Sequence, residues 1–179
     1  MSKTYGLLIF ATLAVSVPAC SSARILSHYA SHIGARGGTR TGPHAGVDFG
    51  GEPGAPVLAA ADGTVYYTDT KGPGCGIGVL ISHPEFNRWK VYCHLSEISV
   101  ELGQPVQRGE MIGRMGMSGN SYLVLHVHME LCTSPCFWGH SDGNLAGTED
   151  PWRISDGCFD PNKTYPRDHL VLTHPIQCK

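Results

Sequence analysis

The chain has 179 residues, a formal net charge of −2 and a pI near 6.5, so it is long enough for one domain and has no basic bias toward nucleic acid or anionic membrane. Charged residues are only 16% and hydrophobic residues 41%, which excludes a charge-extended disordered chain. Glycine, at 23 residues, is well above the ~7% average and points to many tight turns, as in a compact β protein.

Lys3 is the lone charge ahead of an apolar run from Gly6 to Val17, the pattern of a secretory signal over residues 1–20. That run is too short for a comfortable membrane span, which needs ~20 residues. Val17-Pro18-Ala19-Cys20 is similar to a lipobox, in which cleavage precedes Cys20 and its thiol is lipidated. Ordinary cleavage near Ala19 or Ala23 is the alternative. Either route exports the mature protein, to the periplasm, to the outer membrane through a lipid on Cys20, or to the medium.

Residues 21–35 lack a strong period and read as a tether or a first helical turn. From Arg36 short apolar runs alternate with glycine. Pro56-Val57-Leu58-Ala59-Ala60 and Thr64-Val65-Tyr66-Tyr67-Thr68 flank Asp62-Gly63, a hairpin signature. Residues 76–83 and 88–94 flank Pro84-Glu85-Phe86-Asn87, a second hairpin. Pro105-Val106 and Met111–Met115 bracket Arg108-Gly109-Glu110. The run Tyr122 to Leu131 is rich in β-formers and holds no Gly or Pro. Strands at such spacing, with no convincing 3.6-residue period between them, predict a mainly β, antiparallel sheet domain. Residues 133–179 are rich in Cys, Pro and loop residues. They have too few apolar side chains for a second core, and read as an extension packed on the domain.

Seven cysteines are present, at 20, 75, 93, 132, 136, 158 and 178. With Cys20 lipidated or removed, six remain, an even count that in an exported protein predicts up to three disulfides. The local pairings are Cys132 with Cys136 and Cys158 with Cys178, leaving Cys75 with Cys93. No CxxC pair exists to favour metal binding by these thiols.

His126-Val127-His128 carries the chemistry. In a strand, positions i and i+2 share a face, so both imidazoles project into one space. Upstream, His44-x3-Asp48 lies among Gly42, Pro43, Gly46, Gly50 and Gly51, which disfavour a helix. His44 is therefore expected to end a turn, with Asp48 on the strand that follows. Two histidines and one carboxylate match a catalytic zinc, which takes three protein ligands and keeps a position open. Only one histidine of the pair is then needed on the metal; the other is free to hold water or a developing oxyanion. His94 ends another expected strand. Glu130 shares the strand face of His128, where it would hydrogen-bond that ligand or face solvent. His28, His32, His83, His140, His169 and His174 lack matched partners and read as surface or loop residues.

The order His44-x3-Asp48, His94-Leu95-Ser96, His126-x-His128 resembles the M23 family of zinc metallopeptidases, the lysostaphin- or LytM-type peptidoglycan endopeptidases. Gly54-Ala55-Pro56-Val57-x-Ala59-x3-Gly63-x-Val65 resembles the family's first hairpin. Gly103-Gln104-Pro105-Val106-x2-Gly109-x2-Ile112-Gly113-x2-Gly116-x-Ser118-Gly119 resembles the stretch before its HxH strand. The resemblance covers residues 36–132. It implies a groove formed by loops, one zinc ion held by His44, Asp48 and His128, and catalytic histidines at His94 and His126, with their two roles unordered. It further implies a monomer that cuts peptidoglycan cross-link peptides, at a D-Ala–diaminopimelate link or a glycine bridge. The alternative on the same fold is a non-catalytic murein-binding or hydrolase-activator module. Cys93, where the family commonly has a small residue, and the Cys-rich tail are departures that fall on no ligand position.

Overall fold

A computed structural model describes residues 23–120, 123–137 and 143–178. Ten strands run in chain order: β1 (Arg24–Ser27), β2 (Val47–Gly50), β3 (Pro56–Leu58), β4 (Gly63–Gly72), β5 (Gly76–His83), β6 (Arg88–Ile98), β7 (Pro105–Val106), β8 (Met111–Met115), β9 (His126–Cys132) and β10 (Thr148–Glu149). Among the described residues the only helical pieces are two 3₁₀ turns, Pro84–Phe86 and Pro151–Ile154. All strand pairs are antiparallel, in the order β1-β2-β9-β6-β5-β4-β7. β10 pairs with β9, and β8 joins both β3 and the far end of β6.

Alternation along the central strands sorts their side chains onto two faces. Val47 and Phe49 of β2, Val127, Met129 and Leu131 of β9, Tyr92 and Leu95 of β6, and Val79 and Ile81 of β5 form one core with Val57, Ile112 and Met115. Leu170, Leu172 and Ile176 of the tail close that core. Each fully buried aliphatic side chain contributes about 1.5–3 kcal/mol, which holds the tail to the domain without regular secondary structure. Backbone bonds from Leu58 N to Pro175 O and from Thr173 N to Ala60 O fix its path. The expected loop-rich, disulfide-stapled extension is thus present. Leu170, Leu172 and Ile176 pack on the sheet face opposite Asp48, His126 and His128.

All three expected disulfides form: Cys75–Cys93, Cys132–Cys136 and Cys158–Cys178. The second hairpin is also as expected, with Pro84–Phe86 turning the chain and Asn87 in the left-handed region (φ 50°).

Several expectations are corrected. The stretch 21–35 is not a tether throughout, because β1 pairs with β2 and buries Ser27. Residues 56–68 do not fold back as a hairpin. β3 pairs with β8 and β4 pairs with β5 and β7, since the Asp62 side chain and carbonyl are engaged outward by Arg108 N (2.7 Å) and His83 Nδ1 (2.7 Å). The HxH strand begins at His126 rather than Tyr122; Leu123 has φ 61°, incompatible with a continuous strand. His83 is buried rather than on the surface, and burial pushes its pKa down to about 4. The signal and lipobox at 1–20, Tyr122 and His140 lie outside the described residues.

Candidate active site

β9 is the axis of the site. It lies between β2 and β6, so all seven of its residues are buried. Its register places His128 opposite Asp48 on one side and opposite Cys93 on the other. His126, His128 and Glu130 alternate onto the face away from the core. His44 precedes β2, in a turn tied to the start of the described chain by His44 N to Ser31 O (3.0 Å) and Ala30 N to His44 O (2.7 Å). Gly46, between His44 and Asp48, is needed for space. A Cβ there would fall 2.5 Å from Met129 O and 2.8 Å from His128 Cε1.

Three donor atoms converge. His44 Nε2 lies 2.9 Å from His128 Nδ1, His128 Nδ1 lies 2.9 Å from Asp48 Oδ1, and His44 Nε2 lies 3.2 Å from the same oxygen. Donors about 2.0–2.1 Å from one tetrahedral zinc sit about 3.3 Å apart, so these three residues fit one ion. Their remaining polar atoms point the lone pairs inward. His44 Nδ1 donates to His28 O (3.1 Å), leaving Nε2 as the acceptor. His128 Nε2 donates to Glu130 Oε1 (2.8 Å), leaving Nδ1. Asp48 Oδ2 accepts from Arg40 Nη2 at 2.7 Å, leaving Oδ1. A histidine whose outer nitrogen is held by a carboxylate or carbonyl is the usual arrangement behind a metal ligand.

A second pair of histidines faces this cluster. The His94 and His126 rings are 4.7 Å apart, and His126 Nε2 is 3.7 Å from Asp48 Oδ1. His94 Nδ1 donates to Ser118 O (2.9 Å) and His126 Nδ1 to Val124 O (2.8 Å). Both rings therefore carry their lone pair on Nε2.

Burial and charge set the protonation states. Burial, reinforced by His128 and His126, pushes His94 down to about 3; burial also lowers His126 and His44. Asp48 is well below the usual carboxylate range, because its bonds to His128 and His44 outweigh the burial that opposes its charge. Burial opposes the charged form of His128, yet the carboxylates of Asp48 and Glu130 outweigh it and raise the pKa to about 10. At neutral pH His44, His94 and His126 are neutral, and Asp48 is ionised.

All five expected site residues, His44, Asp48, His94, His126 and His128, are brought together, and Glu130 bonds His128 rather than solvent. Arg40 and the carbonyls of His28, Ser118 and Val124 have no site role in the sequence reading, although Ser118 stands in the motif that precedes the HxH strand. Arg40 stands four residues before His44 in a basic, glycine-rich segment, a weak signal; carbonyl partners leave none.

Comparisons with known proteins bear on the family and the fold. The profile described as "Peptidase family M23" matches residues 42–136. Peptidoglycan DD-endopeptidase ShyA of Vibrio cholerae is 42% identical over 94 residues, 51% of this chain and 21% of that protein. The lipoprotein NlpD/LppB homolog of Pseudomonas aeruginosa is 40% identical over 84 residues, 47% of this chain and 28% of that protein. The match thus spans well under a third of either relative's length. The catalytic domain of lysostaphin from Staphylococcus simulans has the same fold, with a TM-score of 0.60 at 24% identity over 73% of this chain and 90% of that domain. With the profile covering more than half of its residues, this chain belongs to peptidase family M23.

Proposed function

We propose that the chain is a zinc-dependent endopeptidase that hydrolyses cross-link peptides of bacterial peptidoglycan, with His44, Asp48 and His128 holding the metal and His94 and His126 acting on the substrate. One observation carries the reading: two neutral imidazoles, each locked by a backbone carbonyl with Nε2 outward, stand beside a cluster that among the described residues has three donors rather than four. A closed structural zinc site would have a fourth ligand, commonly Cys, and every described cysteine here is in a disulfide.

Zinc in such a site supplies a Lewis acid and lowers the pKa of a bound water to about 7. The chain's own residues do the rest. A neutral Nε2 on His94 or His126 accepts the proton of an attacking water and later returns it to the leaving amine, a contribution of typically ~10²–10⁴-fold. The other ring, also with its lone pair on Nε2, accepts a hydrogen bond from the second O–H of that water and so orients it for attack. Burial of both rings keeps them neutral before the reaction and makes each hydrogen bond stronger than in water.

Export is part of the same proposal. Three disulfides persist in oxidising compartments, and the 1–20 signal with Cys20 as a lipid anchor would place the domain at the periplasmic face of an outer membrane. Residues 36–132 would be the peptidase unit and residues 133–179 its packed extension. A D-Ala–diaminopimelate bond is the favoured target, in keeping with the named activity of the Vibrio relative.

The test is turbidity clearance of a peptidoglycan suspension, with mass spectrometry of the released muropeptides. Clearance should need zinc, and His126→Ala should abolish it while zinc stays bound. Full activity in that variant sinks the assignment; a parental chain that binds peptidoglycan without cutting it favours the binding-module reading.

A further inference from the structure

The Cys75–Cys93 disulfide lies beside the reacting face and outside the roles described so far. β6 changes partners within two residues. Through Trp89–Cys93 it pairs with β9, and from Leu95 onward it pairs with β8. On its other edge, Val79 pairs with Tyr92 but Ile77 pairs with Leu95. Cys93 and His94 therefore stand opposite the single residue Gly78, which is a β-bulge. Tyr92 and Leu95 both point into the core. The extra residue lets Cys93 and His94 lie consecutively between them, and it turns the His94 ring toward His126.

The bulge has a conformational cost. His94 has φ 66°, in the left-handed region, which costs a non-glycine residue about 1–2 kcal/mol. Such a backbone persists only where its surroundings over-determine it. Here three contacts do so. Cys93 is bonded to Cys75 across the bulge. His94 N donates to Cys75 O at 2.9 Å. His94 Nδ1 donates to Ser118 O at 2.9 Å, and Ser118 Oγ in turn accepts from Ile77 N (2.9 Å) and donates to Leu95 O (2.7 Å). Gly78 leaves the disulfide its space, since a Cβ there would fall 2.7 Å from Cys75 Sγ.

We propose that the Cys75–Cys93 disulfide is a positioning element for His94: it clamps the bulge that aims this histidine at the reacting face, in addition to whatever it adds to stability. The inference rests on the peptidase reading for its kinetic consequence. Its structural consequence, a loosened His94 backbone, stands without it. A group displaced by about 1 Å from its productive geometry can cost on the order of 10²-fold in rate, whereas the proposed zinc ligands lie in the turn before β2 (His44), on β2 (Asp48) and on β9 (His128), outside the bulged residues of β6.

The experiment compares the full chain with Cys75→Ala/Cys93→Ala, using Cys158→Ala/Cys178→Ala as the control for loss of a remote disulfide. Soluble cross-linked muropeptides supply kcat and KM, zinc is counted by elemental analysis, and amide hydrogen exchange is followed at His94, Val127 and Met129. In the 75/93 variant kcat should fall about 10- to 100-fold, with KM and zinc content unchanged and protection lost at His94 alone. The 158/178 variant should melt earlier yet keep its kcat. Should the 75/93 variant fail to fold, Gly78→Ala presses on the same clamp with both cysteines retained, and the same kcat loss at full zinc content is expected. An unchanged kcat with the disulfide gone, or a loss that follows zinc, overturns the proposal. If the parental chain shows no hydrolysis, the peptidase reading fails, and His94 protection alone decides whether the clamp exists.

Discussion

Glu130 Oε1 accepts a 2.8 Å hydrogen bond from His128 Nε2, two residues earlier on the same strand, and Glu130 is itself fully buried. The pair keeps a proton on His128 Nε2, so that once Nδ1 gives up its own proton to a metal the lone pair left there points at Asp48 and His44. Arg40 does the corresponding work on Asp48 from the other side.

Glu130→Gln removes the negative charge behind His128 while keeping the shape. Zinc affinity should drop about 10- to 100-fold, the usual cost of losing a partner behind a ligand. Competition with a chromogenic chelator measures it. Unchanged affinity would mean that the carboxylate serves packing alone.

Metal and proton compete for His128. In the metal-free protein its pKa is about 10, raised against burial by Asp48 and Glu130, while His44 is lowered and Asp48 is already ionised. Zinc binding at pH 7 should therefore release about one proton, and affinity should rise about tenfold per pH unit below that value. Calorimetry in buffers of different ionisation enthalpy reads the proton count. The same shift acts on stability. Because the folded pKa lies above the unfolded value of 6.5, the stabilisation of the metal-free protein is fully present below about pH 6.5 and is lost as pH rises toward about 10. A metal-free protein that gains stability over that window would contradict the assignment.

Lys90 is fully buried on β6, and among the described residues its Nζ has no hydrogen-bond partner. Burial pushes its pKa well below 10.5, although Glu130 and Asp150 pull it back. A buried donor without a partner costs about 1–3 kcal/mol. Lys90→Met keeps the apolar stem and removes the amine, so its melting temperature should rise by about 2–12 °C. The gain should shrink as pH approaches 10.5, where the unfolded chain no longer holds the extra proton. A thermal melt across pH checks both points, and a lower melting temperature would count against an unsatisfied amine.

Much of the site is legible in the amino-acid sequence. The strand period makes His126 and His128 neighbours in space, because side chains two apart in a strand share a face. The glycines around His44-x3-Asp48 exclude a helix and place Asp48 on a strand. Cysteine parity and short spacings led to all three disulfides. These features are local, and local geometry follows from residue type and spacing. What failed was pairing at a distance. A hairpin pattern at 56–68 does not reveal that β3 prefers β8, and the weak period of 21–35 hides an edge strand whose partner is β2.

By itself, then, the sequence determined the chemistry offered: one histidine–histidine pair, one histidine–aspartate pair, a fourth histidine, and an antiparallel sheet to carry them. Only the tertiary structure decided how that chemistry is aimed. It set β9 between β2 and β6, so that His128 faces Asp48. It inserted a bulge that turns His94 toward His126, and it gave each imidazole a carboxylate or carbonyl behind it. The reason is physical. Which nitrogen holds the lone pair depends on the acceptor behind the ring: Val124 and Glu130 come from within two residues of the histidines they hold, whereas His28 and Ser118 are brought to His44 and His94 only by chain packing.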